Sequence, residues 1–258
     1  MLSDPTLRFS SRVEDYVKYR PSYPPEVIAC LQRECGLTPE AVIADIGCGP
    51  GQLAKLFLEN RNKVYGVEPN REMREAGEQR LRSYPQFHAV EGRAEATSLA
   101  GASVDFVVAG QAFHWFDHDA ARKEFLRILK PGGWVVLVWN DRRLDSTTFL
   151  RLYEQLLVKY GTDYGHVKHE GQQIDKTVLP AFFGRSGFRR ASFDNLQRLN
   201  MEGLRGRLRS ASYIPESGHP RYAAMMQELE KIFSEHQING KVDFEHDARM
   251  YYGQLSRE

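Results

Sequence analysis

A chain of 258 residues with 41% hydrophobic content is long enough to bury one sizeable core. Its 35 basic residues stand against 34 acidic ones, which leaves no global field to hold a nucleic-acid backbone or an anionic membrane. Three cysteines, Cys30, Cys35 and Cys48, match neither a disulfide framework nor a zinc knuckle, and neither a secretory leader nor a run of ~20 apolar residues is visible, so a cytoplasmic protein with free thiols is expected.

The first feature in the chain is a tyrosine- and proline-rich segment, residues 16–25, leading into a predicted helix at 25–34; residues 1–40 read as a cap. From Ala41 to Asn140 short β-branched runs alternate with amphipathic stretches, the pattern of a parallel sheet flanked by helices. Strands are predicted at 42–46, 63–68, 87–90, 105–109 and 134–139, the last wholly apolar as a central parallel strand should be. Leu53, Leu56 and Phe57 fall at helical spacing, and further helices are predicted at 71–81 and 120–129, the latter stopped by Lys130-Pro131-Gly132-Gly133. Beyond the fifth strand, helices are expected at 147–160, 201–208 and 222–236, and strands at 190–197 and 242–255. One α/β domain, residues 1–258, accounts for the pattern, with a core at 41–142 and a helix-rich remainder at 143–258.

The strand at 42–46 runs into Asp45-Ile46-Gly47-Cys48-Gly49-Pro50-Gly51. Glycines at alternate positions permit positive φ and remove the Cβ atoms that would hold a ligand off the backbone, while the helix that follows presents free N–H groups. Glu68 closes the second strand, where a carboxylate can accept hydrogen bonds from both hydroxyls of a ribose. A nucleoside-containing ligand fits this pair. A dinucleotide does not, because the third glycine of Gly-x-Gly-x-x-Gly is replaced by Gln52.

Asp45 to Gly51 resembles the first signature of class I S-adenosylmethionine-dependent methyltransferases, and Val67-Glu68-Pro69-Asn70 resembles their second. Gly92-Arg93-Ala94-Glu95, Asp105-Phe106-Val107-Val108 and Leu129-Lys130-Pro131-Gly132-Gly133 are similar to later landmarks in the same order. Residues 16–24, 111–117 and 210–213 are similar to segments of the small-molecule branch that includes trans-aconitate methyltransferase-like proteins. The resemblance implies a Rossmann-like sheet of seven mostly parallel strands with an N-terminal helical cap and a helical insertion after strand five. It also implies S-adenosylmethionine as cofactor, with Gly47, Gly49 and Gly51 close to its amino-acid portion and Asp45 orienting the turn. Glu68 with Pro69 and Asn70 would then lie at the ribose, Ala94 and Glu95 at the adenine, and Gln111 and Ala112 near the methionine end.

Methyl transfer from a sulfonium is an in-line displacement that needs alignment and exclusion of water more than a catalytic triad. His114 is the candidate general base for a hydroxyl or amine acceptor; a carboxylate acceptor needs none. Tyr19, Arg20, Tyr23, Trp115 and Arg209 are candidate acceptor contacts, Arg20 offering a planar fork to a carboxylate and Arg205, Arg207 and Arg209 an anion-binding run. His166-x-x-His169-Glu170 carries metal-ligand types at helical spacing, but no further ligands lie nearby and no metal is expected. A small-molecule methyltransferase is the principal expectation. A cofactor-binding protein without catalysis remains open, and a nucleic-acid methyltransferase is disfavoured by the balanced charge and by Gln111-Ala112-Phe113-His114 where a base-flipping loop would stand. Nothing in the sequence specifies the acceptor or an oligomeric state.

Overall fold

The computed structural model describes residues 13–162, 164–165 and 177–256. His166, His169 and Glu170 lie outside them.

Seven strands form one sheet in the order β3-β2-β1-β4-β5-β7-β6. They are β1 (Val42–Ile46), β2 (Lys63–Val67), β3 (Phe87–Val90), β4 (Val104–Gly110), β5 (Leu129–Arg142), β6 (Arg189–Leu199) and β7 (Val242–Gly253). All neighbouring pairs from β3 to β5 are parallel, and β7 alone runs against both of its neighbours. This is the expected Rossmann-like α/β sheet. Connections leave β1 toward β2 on one side and return to β4 on the other, so the order reverses between β1 and β4. A crevice opens beyond the carboxyl ends of those two strands, where open α/β sheets take their ligands.

The central strands are apolar on both faces because helices cover both. On one face α2 (Glu26–Cys35) and α3 (Gln52–Glu59) bury Val27, Leu31, Leu53 and Phe57 against Ile43, Val108 and Val138. On the other, α5 (His118–Ile128) and the short α7 (Leu179–Phe183) bury Phe125, Ile128, Phe182 and Phe183 against Val107 and Leu137. A third cluster lies over the β7 end, where α6 (Thr148–Tyr160), α8 (Met201–Arg209) and α9 (Tyr222–His236) enclose Phe244. Helix α4 (Arg71–Leu81) follows β2, capped by Asn70.

Two expectations need correction. The segment Lys130 to Gly133, expected only to stop the preceding helix ahead of a strand at 134–139, belongs to β5: pairing jumps from Val104↔Leu129 to Phe106↔Trp134, so the segment bulges opposite Asp105. Proline lacks a donor for the ladder and Gly132 adopts φ 78°. Asp105 staples the bulge, its carboxylate accepting Lys130 Nζ at 2.8 Å and the Val42 amide at 2.8 Å. The cap also holds a helix that the tyrosine- and proline-rich reading passes over, α1 (Val13–Tyr19), which packs on α8 and α4. No helix among the described residues is long and apolar enough to cross a membrane.

Candidate active site

The chain leaves β1 through a turn in which Gly47, Gly49 and Gly51 hold φ of 66°, 52° and 79°, a region costly for residues with a Cβ. Their surroundings separate their roles. A Cβ on Gly47 would stand 2.7 Å from that of Ala112, and one on Gly51 2.5 Å from Leu81 Cδ1, whereas Gly49 faces open space with nothing within 4 Å. Packing inside the protein therefore requires glycine at 47 and 51. Of the three, only Gly49 leaves open space beside its main chain.

The turn is tied to β2. The Gly47 and Cys48 amides donate to the Val67 carbonyl at 2.9 and 3.2 Å. Glu68 Oε2 accepts the Gly49 amide and Oε1 the Asn70 amide, both at 2.9 Å. Burial raises the Glu68 pKa, with those two amides and Arg74 opposing, and each carboxylate oxygen retains a lone pair for another donor. Asp45 lies near the end of β1, just before the turn. It is 1% exposed, and neither carboxylate oxygen has a hydrogen-bond partner of normal geometry. Burial pushes its pKa up to about 8; the neighbouring Ala54 amide opposes the shift without offsetting it, and Glu68 adds to it. A buried carboxyl with idle oxygens is costly, which points to a donor arriving from outside the chain.

At the tip of β4, Gln111 takes φ 58°, sparsely populated for a residue with a side chain. Its amide donates to Val138 O at 2.9 Å and its Nε2 to Asn140 O at 3.0 Å, which holds the strained tip against β5. Ala94 is buried, while Glu95 accepts the Asp117 amide at 2.9 Å and so braces the start of α5. Asn70 accepts the Met73 amide at 2.9 Å and so caps α4, with Pro69 directly before it.

Beside the turn lies a cavity of about 30 Å³ whose lining includes Arg20, Tyr23, Gln52, Gln111, Asn140 and Arg207. Of the candidate acceptor contacts, Arg20 and Tyr23 line it. The Tyr23 hydroxyl sits where a Cβ on Gly110 would come within 2.5 Å, and burial holds its pKa well above the usual phenol range. Tyr19 and Arg209 do not join them. The Tyr19 hydroxyl donates to Glu202 at 2.8 Å, and Arg209 forks onto Asp15 at 2.9 and 3.0 Å, so both lock α1 to α8 instead of facing the cavity. His114 and Trp115 occupy a single 3₁₀ turn, rings 4.7 Å apart, with Trp115 37% exposed; neither lines the cavity.

The three arginines of α8 part company. Arg205 pairs with Glu230 and Arg209 with Asp15 at the surface, while Arg207 turns inward. The helical period carries this signal, since Gly203, Leu204, Arg207 and Leu208 share the buried face. His246 has a comparable signature, occupying an inward position of β7 in the alternation Val242, Phe244, His246, Ala248.

Residues 44–137 match the family described as a methyltransferase domain. Over 240 residues, 92% of each chain, the protein is 28% identical to an uncharacterized methyltransferase of Schizosaccharomyces pombe. Over 113 residues, 43% of each chain, it is 35% identical to the trans-aconitate 2-methyltransferase of an Azoarcus species. A Haemonchus contortus N-methyltransferase, solved with phosphomonomethylethanolamine and S-adenosylhomocysteine, shares the fold at TM-score 0.52 and 16% identity, covering 98% of this chain and 59% of that one.

Proposed function

We propose that this chain, whose residues 44–137 match a methyltransferase domain, is a class I methyltransferase that moves the methyl group of S-adenosylmethionine to an oxygen or nitrogen of a small-molecule acceptor. The observation that carries this reading is the bare main chain of Gly49, tied to Glu68 and four residues beyond a buried Asp45 carboxyl whose oxygens have no hydrogen-bond partner of normal geometry. The residues fit the cofactor. Asp45 would take its ammonium group, Glu68 its ribose hydroxyls and the turn amides its carboxylate, while Pro69, Asn70, Ala94 and Glu95 border the nucleoside. Gln111 and Ala112 would flank the methionine portion beside Gly47.

The bound cofactor supplies an electrophilic methyl and its own leaving group, so the chain has to align the acceptor and exclude water. Tyr23, Gln111 and Asn140 border the adjoining cavity and would set the acceptor's approach, and the cap segment carrying Arg20 and Tyr23 would shield it from solvent. If the accepting oxygen belongs to a carboxylate, it is ionised at neutral pH and needs no base. This agrees with the position of His114 outside the cavity and with the named substrate of the Azoarcus relative.

Calorimetric titration of S-adenosylhomocysteine tests the site. Binding by the wild type and none by Gly49→Val is expected; wild-type affinity in the variant would show the site to be misplaced. Incubation with labelled donor and a metabolite extract should yield a labelled small molecule. Label confined to RNA or DNA, or no transfer despite cofactor binding, would contradict the proposed reaction.

A further inference from the structure

We infer that the acceptor carries a dianionic group, a phosphate monoester or a pair of carboxylates, held by Arg20 and Arg207, which line the cavity, with Arg142 as their neighbour. The inference rests on the methyl-transfer reading only for what the anion is attached to.

Three guanidinium groups converge from separate parts of the chain. Arg207 reaches the cavity from the buried face of α8, 7% exposed, with Nε unpartnered and the Phe244 ring 5.5 Å from its guanidinium carbon. Arg142, at the end of β5, stacks on Tyr153 at 5.2 Å and pairs with Glu154, but its Nη1 is buried without a partner. Arg20 stacks on Tyr16 at 5.0 Å and donates to the Ser210 carbonyl at 2.9 Å, leaving Nε buried and idle. Burial, then Arg20, lowers the Arg207 pKa to about 10, so the group stays charged at neutral pH. His246 lies in the same cluster with neither ring nitrogen in a hydrogen bond of normal geometry. Burial first and then Arg207 hold it neutral down to about 3, with the Asn195 backbone opposing weakly.

Charge bookkeeping gives the ligand its valence. Among the described residues, the only carboxylate paired with any of the three arginines is Glu154, which leaves two positive charges uncompensated. Apolar residues of the same volume would remove that cost, so retaining it argues for an anion that completes the cluster. Guanidinium forks match the oxygens of carboxylate and phosphate, and the Gln197 side-chain oxygen and the His246 ring, neither in a hydrogen bond of normal geometry, would accept from hydroxyl groups elsewhere on the same ligand. The opposite rim, at Gln111, adjoins the glycine turn through Ala112, so the anion anchors the acceptor while its nucleophilic atom faces the methyl donor.

Calorimetry with inorganic phosphate, succinate and acetate on wild type, Arg207→Met and Arg20→Gln tests this, with S-adenosylhomocysteine titrated in parallel. The wild type should bind phosphate or succinate at least about tenfold more tightly than acetate, and the tighter of the two names the source of the dianion. Both variants should lose about tenfold or more toward that dianion and keep the wild-type affinity for S-adenosylhomocysteine. Ligand-free Arg207→Met should melt no lower than wild type, because an unpaired buried charge has gone. Equal affinity for acetate, unchanged dianion affinity in both variants, or a marked fall in the melting temperature of Arg207→Met would overturn the assignment. Dianion binding by a wild type that fails to bind S-adenosylhomocysteine would support the anion site while sinking the methyl-transfer reading.

Discussion

The two ends of the crevice hold buried ionisable groups of opposite kind, carboxyls at one and guanidinium groups at the other. At the tips of β1 and β2 stand two carboxyls, Asp45 and Glu68, next to an open glycine main chain; on the β7 side stand Arg20, Arg142 and Arg207 with a single carboxylate among them. Each end keeps polar atoms without partners that a well-packed interior would satisfy. Under the proposed reaction the contrast would assign the ends: the acidic one suits a donor with an ammonium group, a sulfonium and ribose hydroxyls, the basic one an anionic acceptor. A pocket of uniform sign could bind both molecules but would not orient them toward each other.

Substitutions at the acidic end should damage donor binding alone, and the largest effect is expected at Gly49. Gly49→Val adds a side chain at φ 52° in the ligand's space and should weaken S-adenosylhomocysteine by about a hundredfold or more while the protein still folds. Gly51→Ala sharpens the contrast, since its Cβ meets Leu81. It should lower the melting temperature by the equivalent of about 1–3 kcal/mol and reduce affinity only through that loss, as thermal melts beside titrations will show.

Asp45→Asn comes next, expected to cost about tenfold in donor affinity, and its signature is in the pH dependence. With a folded pKa of about 8 against an ordinary 3.8, Asp45 holds a proton in the ligand-free folded state that the unfolded chain releases. Its contribution to stability is therefore full below about pH 4 and lost progressively as the pH rises to 8. Asn should flatten that part of the stability profile. An ammonium-bearing ligand requires the ionised form, so wild-type affinity should rise from pH 6 to 8 and that of the variant should not. The smallest effect belongs to His114→Ala, which should leave turnover within about twofold because the ring stands off the cavity; a tenfold loss would return His114 to the reaction.

The two ends were also unequally legible. The acidic end is written almost contiguously, from Asp45 to Gly51 and then at Glu68, because a strand, a tight turn and a helix start are local structures with local residue requirements. The basic end is assembled from residues 20, 142, 207 and 246, which only the folded sheet brings together. Arg20 shows in the cap motif, but Arg207 and Arg209 look alike until the burial phase of α8 separates them. The sheet was readable from its apolar runs, whereas the bulge at Lys130 to Gly133 depends on a tertiary contact with Asp105 that no local pattern announces.

A crystal structure of the protein with S-adenosylhomocysteine tests the central claim most directly. The nucleoside is expected against the Gly49 main chain, with its ribose hydroxyls on Glu68 and its amino group on Asp45. A ligand bound elsewhere, or one in the crevice with the Asp45 oxygens still idle, would contradict it.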